Sequence, residues 1–265
     1  MISITIANQK GGVGKSAVAV QLAYFFNMIM GKRVLVIDLD HQGNSTKPLV
    51  SGGFATISSI PASKLLTTKV SGVESVSLLL CAADYNELRD LEKQGDKQHN
   101  IFANNLHTFV KAVDNDFDVC IFDTNPNPDI RQLSSLIVSD FVLSPVQLNQ
   151  EAIDGIGQLL NNEKTGIRKI KAVINPKLEL IGILPNLVEP TPFQRDNLRD
   201  LTAHFAKLLI PMNSGGFAAI KKTTAVPEAQ AAGVPIWKLP KTSGRVAWSQ
   251  IKPVFEKIAS SMEIQ

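Results

Sequence analysis

Asn8-Gln9-Lys10-Gly11-Gly12-Val13-Gly14-Lys15-Ser16 follows an apolar, largely β-branched run, Ile2-Ser3-Ile4-Thr5-Ile6-Ala7. A strand that ends in glycines and opens into a helix makes successive backbone N–H groups converge on a phosphate at the positive end of the helix dipole. The spacing assigns Gly11, Gly12, Val13, Gly14 and Ala17 to a phosphate cradle, Lys15 to the β- and γ-phosphates, and the Ser16 hydroxyl to Mg²⁺. In one respect the loop departs from the common spacing. Gln9 stands where a glycine is expected five residues before Gly14, and Lys10 precedes the first glycine.

Outward from this loop, short apolar runs alternate with longer helical patterns. Strands are expected near 2–7, 33–38, 76–81, 118–123, 140–145, 180–185 and 208–211, and helices near 15–30, 98–114, 129–138, 151–164, 194–207, 225–232 and 244–262. Val34 to Ile37 and Val119 to Phe122 lack polar alternation, which suits strands buried on both faces of a parallel sheet. The expected fold class is α/β, a wound, mostly parallel sheet flanked by helices on both faces. With 265 residues, 44% of them apolar, and no repeat or Pro/Gly-rich divider, residues 1–265 are read as a single domain.

Cys81 and Cys120 lie in or beside apolar runs and read as core cysteines, not as a disulfide or metal pair. There is no recognisable presequence, and no apolar run has membrane-spanning length, so a cytoplasmic location is expected. His41, His99, His107 and His204 show no ligand spacing, and no nucleophilic triad is apparent. Net charge is only +3, but it is unevenly spread. From Lys221 onward seven basic residues face three acidic ones, and Lys164, Arg168, Lys169, Lys171 and Lys177 have no acid among them. Taken alone, either cluster reads as a solvated face.

In an open parallel sheet, ligands collect outside the carboxyl ends of the strands, where Lys15, Asp38, Asp40 and Asp123 all fall. One such aspartate is commonly a helix cap; three beside a phosphate loop form a nucleotide site. Lys-Gly-Gly-x-Gly-Lys-[Ser/Thr] resembles the deviant Walker A motif of the ParA/MinD ATPases. Asp38-Leu39-Asp40-His41-Gln42-Gly43, Ile121-Phe122-Asp123-Thr124-Asn125-Pro126, Phe141 to Gln147, and Ala225 to Pro235 resemble further blocks in that family's order. The likeness is greatest to the ParA (Soj-like) partition ATPases that lack an N-terminal helix-turn-helix, so specific operator binding is not expected.

The resemblance implies Mg²⁺ and ATP as cofactors, with Ser16 ligating the metal and Asp123 and Asp38 holding it through water. It makes Asp40 the residue that orients or deprotonates the attacking water. Lys10 would cross a dimer interface to the partner's phosphates. Asn186 and the Pro211-Met212-Asn213 region would contact adenine, although Asn186 could equally be a turn residue. The family's partners are a second copy on ATP binding, non-specific DNA on the nucleoid and a ParB-like adaptor, with no membrane. The DNA contacts would fall on Lys221, Lys222, Lys238, Lys241 and Arg245.

Two alternatives share this core. A MinD-like membrane ATPase would use Trp248, Ile251, Phe255, Ile258 and Met262 as a lipid-facing stripe, and a dethiobiotin- or cobyrinic-acid-synthase-like enzyme would need a substrate pocket. The chain also departs from the family pattern. His41 stands where proline is usual, Asn125 replaces the first proline after the Walker B strand, and Asp129 and Arg131 place charge where small apolar residues are commoner. Asn213 to Ala219 reads as a short inserted loop.

Overall fold

The structure is a computed structural model that describes residues 1–94 and 98–264. Its chain order runs β1 (Ile2–Ile6), α1 (Lys15–Tyr24), β2 (Val34–Asp38), α2 (Thr46–Gly52), β3 (Thr56–Ile57), α3 (Ala62–Thr67), β4 (Leu78–Cys81) and α4 (Tyr85–Leu91). It continues through α5 (His99–Ala112), β5 (Val119–Asp123), α6 (Ile130–Val138), β6 (Phe141–Val146), α7 (Gln150–Asn161) and α8 (Ile167–Val173). The last elements are β7 (Glu179–Pro185), α9 (Pro192–Phe205), α10 (Ala225–Ala232) and α11 (Thr242–Ser261).

The strands form one sheet in the order β3-β4-β2-β5-β1-β6-β7, and every pairing is parallel. Side-chain alternation divides each central strand between two cores. Val34 and Val36 of β2 and Val119 and Ile121 of β5 face α1, α10 and α11. Leu35, Ile37, Cys120 and Phe122 face α3, α4 and α5. Both faces are therefore covered, as an all-parallel sheet requires. No helix among the described residues is long and apolar enough to cross a membrane.

The expected strand at 208–211 is not a regular strand. Residues 206–208 form a 3₁₀ turn, and among the described residues one bridge, Leu209 to Ile183, joins the run to β7. Pro211, which has no N–H to donate, follows at once. The 213–219 segment is a hydrogen-bonded turn, with Met212 donating its N–H to Gly216 and Gly215 its N–H to Met212. The expected helix at 15–30 is α-helical to Tyr24 and then closes in a π-turn over Phe25–Ile29.

Candidate active site

Register brings the site together. Asp123 at the end of β5 pairs with Asp38 at the end of β2 on one side and with Ile6 at the end of β1 on the other. The phosphate loop follows β1, so three neighbouring strand ends deliver Lys15, Asp38, Asp40 and Asp123 to one edge of the sheet. The loop itself is braced from β6, where the Asn8 amide donates to the Pro145 carbonyl (2.9 Å) and Asn8 Oδ1 accepts the Lys10 N–H (2.8 Å). Gly14 caps α1 with φ 86°, in the left-handed region that favours glycine, and a Cβ there would collide with the Asn186 amide.

A cavity of about 500 Å³ opens over this loop, lined by Gly11, Gly12, Lys15, Ser16 and Asp40, and also by Gln230 of α10. Lys15 is 6% exposed and its ammonium donates to the Lys10 carbonyl (3.2 Å). Burial lowers its pKa, against the opposing pull of Asp123 and Asp40. Asp38 and Asp123 are fully buried, and burial raises both their pKa values; Asp38 is raised further by the neighbouring Asp123. Three crowded carboxyl groups beside the buried Lys15 disfavour one another's charge, which either a bound proton or a bound cation relieves.

The two buried aspartates differ in their free valence. Asp38 accepts from the Asp40 N–H (3.1 Å) and from both the N–H and hydroxyl of Thr46 (2.8 Å each), so it braces the loop after β2. Asp123 accepts the Ser45 hydroxyl on one oxygen (2.6 Å), while its other oxygen has no hydrogen-bond partner. The neighbouring Ser16 side chain acts with Ser45 to hold the Asp123 pKa down against burial. An open carboxylate oxygen beside a serine hydroxyl suits a hard divalent cation. These residues fit Mg²⁺, with Asp123 nearer that role than Asp38.

Lys10 donates to Asn149 Oδ1 at the N-cap of α7 (3.3 Å), a partner that motif reading did not identify. Asn186 donates to the Val13 carbonyl (2.8 Å) and, with Ala17, Val18, Leu187, Ile220 and Val226, lines a narrow apolar pocket behind Gly14. Pro211 is not brought there. It bridges to Phe217, and Met212 and Asn213 line a separate cavity with Pro253 and Lys257 of α11.

The basic residues divide into two groups. Lys221 lines a cavity of about 510 Å³ beside Ser243 and Val246 in the first turns of α11, where Arg245 also stands. Among the described residues, neither Lys221 nor Arg245 makes an ion pair. Lys222 pairs with Glu189, Lys241 pairs with Glu228 at 2.9 Å, and the Lys238 ammonium lies 4.6 Å from the Phe54 ring centroid. The stripe on α11 is core. Ile251, Phe255, Ile258 and Met262 are all buried, and Trp248 packs against Trp237 with ring centroids 4.4 Å apart.

A family profile described as an AAA domain matches residues 1–180. Protein IncC of Escherichia coli is 32% identical over 273 residues, covering 100% of this chain and 71% of that protein. The chromosome-partitioning ATPase Soj of Thermus thermophilus is 30% identical over 217 residues, covering 79% and 81%. Among solved structures, McdA of Cyanothece with ATP shares the fold at a TM-score of 0.78 and 19% identity, covering 100% of this chain and 97% of that one. Cobyrinic acid a,c-diamide synthase of Mycobacterium smegmatis, with ADP and magnesium, gives a TM-score of 0.66 at 25% identity, covering 95% and 94%. With its two-lysine glycine loop and its three strand-end aspartates, the chain belongs to the ParA/MinD family of P-loop ATPases.

Proposed function

We propose that this protein is a Mg²⁺-dependent partition ATPase. It forms an ATP-sandwich dimer, binds DNA without sequence preference as that dimer, and is released when a ParB-like adaptor stimulates hydrolysis. Its place of work is the nucleoid in the cytoplasm. The observation that carries the reading is the pairing of Lys10 and Lys15 around one glycine loop, with Asp38, Asp40 and Asp123 at the adjoining strand ends. The chromosome-partitioning ATPase Soj, 30% identical, favours cargo positioning over the synthase chemistry of the structural neighbour. The burial of the α11 stripe weighs against a lipid-facing helix.

Ser16 and Asp123 would hold Mg²⁺, with Asp38 bracing the loop behind them, and the metal supplies charge neutralisation on the phosphates. Lys15 lies within the cavity to meet the terminal phosphates. Asp40, 6% exposed and held by the Gln42 N–H on Oδ1 (3.0 Å), would orient a water. Lys10 would leave Asn149 and reach the partner's nucleotide, acting as a cation supplied in trans. Sedimentation with ATP tests this step. Lys10→Ala should still bind ATP as a monomer, yet form no dimer and lose both DNA binding and stimulated hydrolysis. Equal dimer fractions for variant and wild type would reduce Lys10 to a surface charge.

A further inference from the structure

Arg131, in the first turn of α6, has a side chain with no exposed surface, although it is a guanidinium. Burying such an ion costs several kcal/mol unless its donors are met. Here they are met by groups from three separate segments. Nη2 pairs with Asp129 (2.5 Å) and with Glu92 beyond α4, Nε donates to Asp129 (3.2 Å), and Nη1 lies 3.0 Å from His41 Nδ1. None of these atoms belongs to the phosphate cavity.

The contacts knit together the loops that follow β2 and β5. On the β5 side, Asn125 donates to Asp129 (2.8 Å) and Asn127 donates to Glu92 (3.0 Å). On the β2 side, a guanidinium can only donate, so His41 Nδ1 must accept and its Nε2 carries the proton. That ring nitrogen lies 2.9 Å from the Gln42 side-chain amide, which therefore turns its oxygen to the ring. The Gln42 backbone N–H in turn donates to Asp40 Oδ1 (3.0 Å). The ring is also held by the edge of Tyr85 at 5.4 Å, and Arg89 sits 5.2 Å from the Tyr85 ring.

We propose that Arg131, acting through His41 and Gln42, is a positioning residue that sets the orientation of Asp40 and so the rate of ATP turnover. The inference rests on the assignment of Asp40 to the attacking water. The contacts join His41, Asn125, Asp129 and Arg131 into one unit.

Single-turnover ATP hydrolysis and titration of a fluorescent ATP analogue, run on the full chain, test it. Arg131→Lys keeps the charge but cannot bond three segments at once. It should lower the hydrolysis rate about tenfold or more, as misplaced catalytic groups do, with analogue affinity within about twofold of wild type. Because substitution of the buried Arg131 also disturbs folding, His41→Ala serves as the second variant: half-buried and outside the core, it should give the same rate loss at an unchanged melting temperature. The double variant should be no slower than the slower single one, because both cut the same link. Asp40→Ala runs alongside. If Asp40→Ala is inactive while His41→Ala hydrolyses at the wild-type rate, the positioning role is overturned and the assignment of Asp40 stands. Parallel losses of analogue affinity, melting temperature and rate in His41→Ala would likewise overturn it, leaving a structural ion pair. If Asp40→Ala retains turnover, the assignment of Asp40 fails and the inference fails with it.

Discussion

Lys15 is the residue on which the site's electrostatics turn. It is the cation that faces Asp123 and Asp40 across the cavity, and its pKa is lowered by its own burial, so the charge is held at a cost that a triphosphate would offset. Truncating one partner of a buried charged set costs about 2–5 kcal/mol. Lys15→Ala should therefore weaken nucleotide binding by about a hundredfold or more, because the glycine amides would face the phosphates without their lysine and the carboxylates would lose their counter-charge. Titration with a fluorescent ATP analogue measures this, and affinity within a few-fold of wild type would refute the phosphate-loop assignment. Lys15, Ser16 and the aspartates were legible in the sequence because each follows a strand at fixed spacing. Asn149 and Gln230 were not legible, since they reach the site from the N-cap of α7 and from α10 through tertiary contacts that leave no local pattern. The sequence marks Arg131 only as a departure from the family pattern; its burial depends on Asp129 two residues away and on Glu92 and His41 from distant segments.

Among the elements, α11 separates the two ways of reading an apolar stripe. Its apolar residues pack on α1 and the π-turn, with Phe255 against Phe25 at 5.8 Å between ring centroids and Ile258 and Met262 sealed beneath. Phe255→Ala should accordingly lower unfolding free energy by about 3–5 kcal/mol, the cost of emptying a buried aromatic site. A urea midpoint reads the loss directly. A stability change below about 1 kcal/mol, joined to lost vesicle binding, would instead mark a detachable membrane helix. The same contrast explains which elements could be read in advance. Strands of four or more apolar residues and the longer helices announce themselves by period. β3 has two residues, and α2, α3, α4 and α8 have six or seven, too few for a helical period to stand out. In α2, Pro48 and Gly52 further obscure the pattern.

At the scale of the whole molecule, the parallel sheet sends its carboxyl ends to the nucleotide cavity, while Lys221 and the start of α11 present cationic groups beside a separate cavity. A chain with net charge of only +3 does not attract polyanions through its overall field, so the proposed DNA affinity would have to come from this local cluster and from its doubling in the proposed dimer. The surroundings rank the cluster. Lys221 and Arg245 make no ion pair among the described residues, whereas Lys222 and Lys241 already neutralise Glu189 and Glu228, so a phosphate would have to compete for them. Binding to random-sequence duplex should require ATP and fall steeply with salt. Each phosphate contact removed should flatten the slope of log affinity against log salt by about 0.9, or about 1.8 for a substitution present twice in the dimer. Lys221→Glu and Arg245→Glu should each produce that change, while Lys222→Ala and Lys241→Ala should produce less than half of it, and ATP-driven dimerisation should be intact in all four. The salt titration is run beside sedimentation with anionic liposomes. Equal slopes for all four variants would dissolve the ranking, and liposome binding without DNA binding would shift the protein's surface from nucleic acid to membrane.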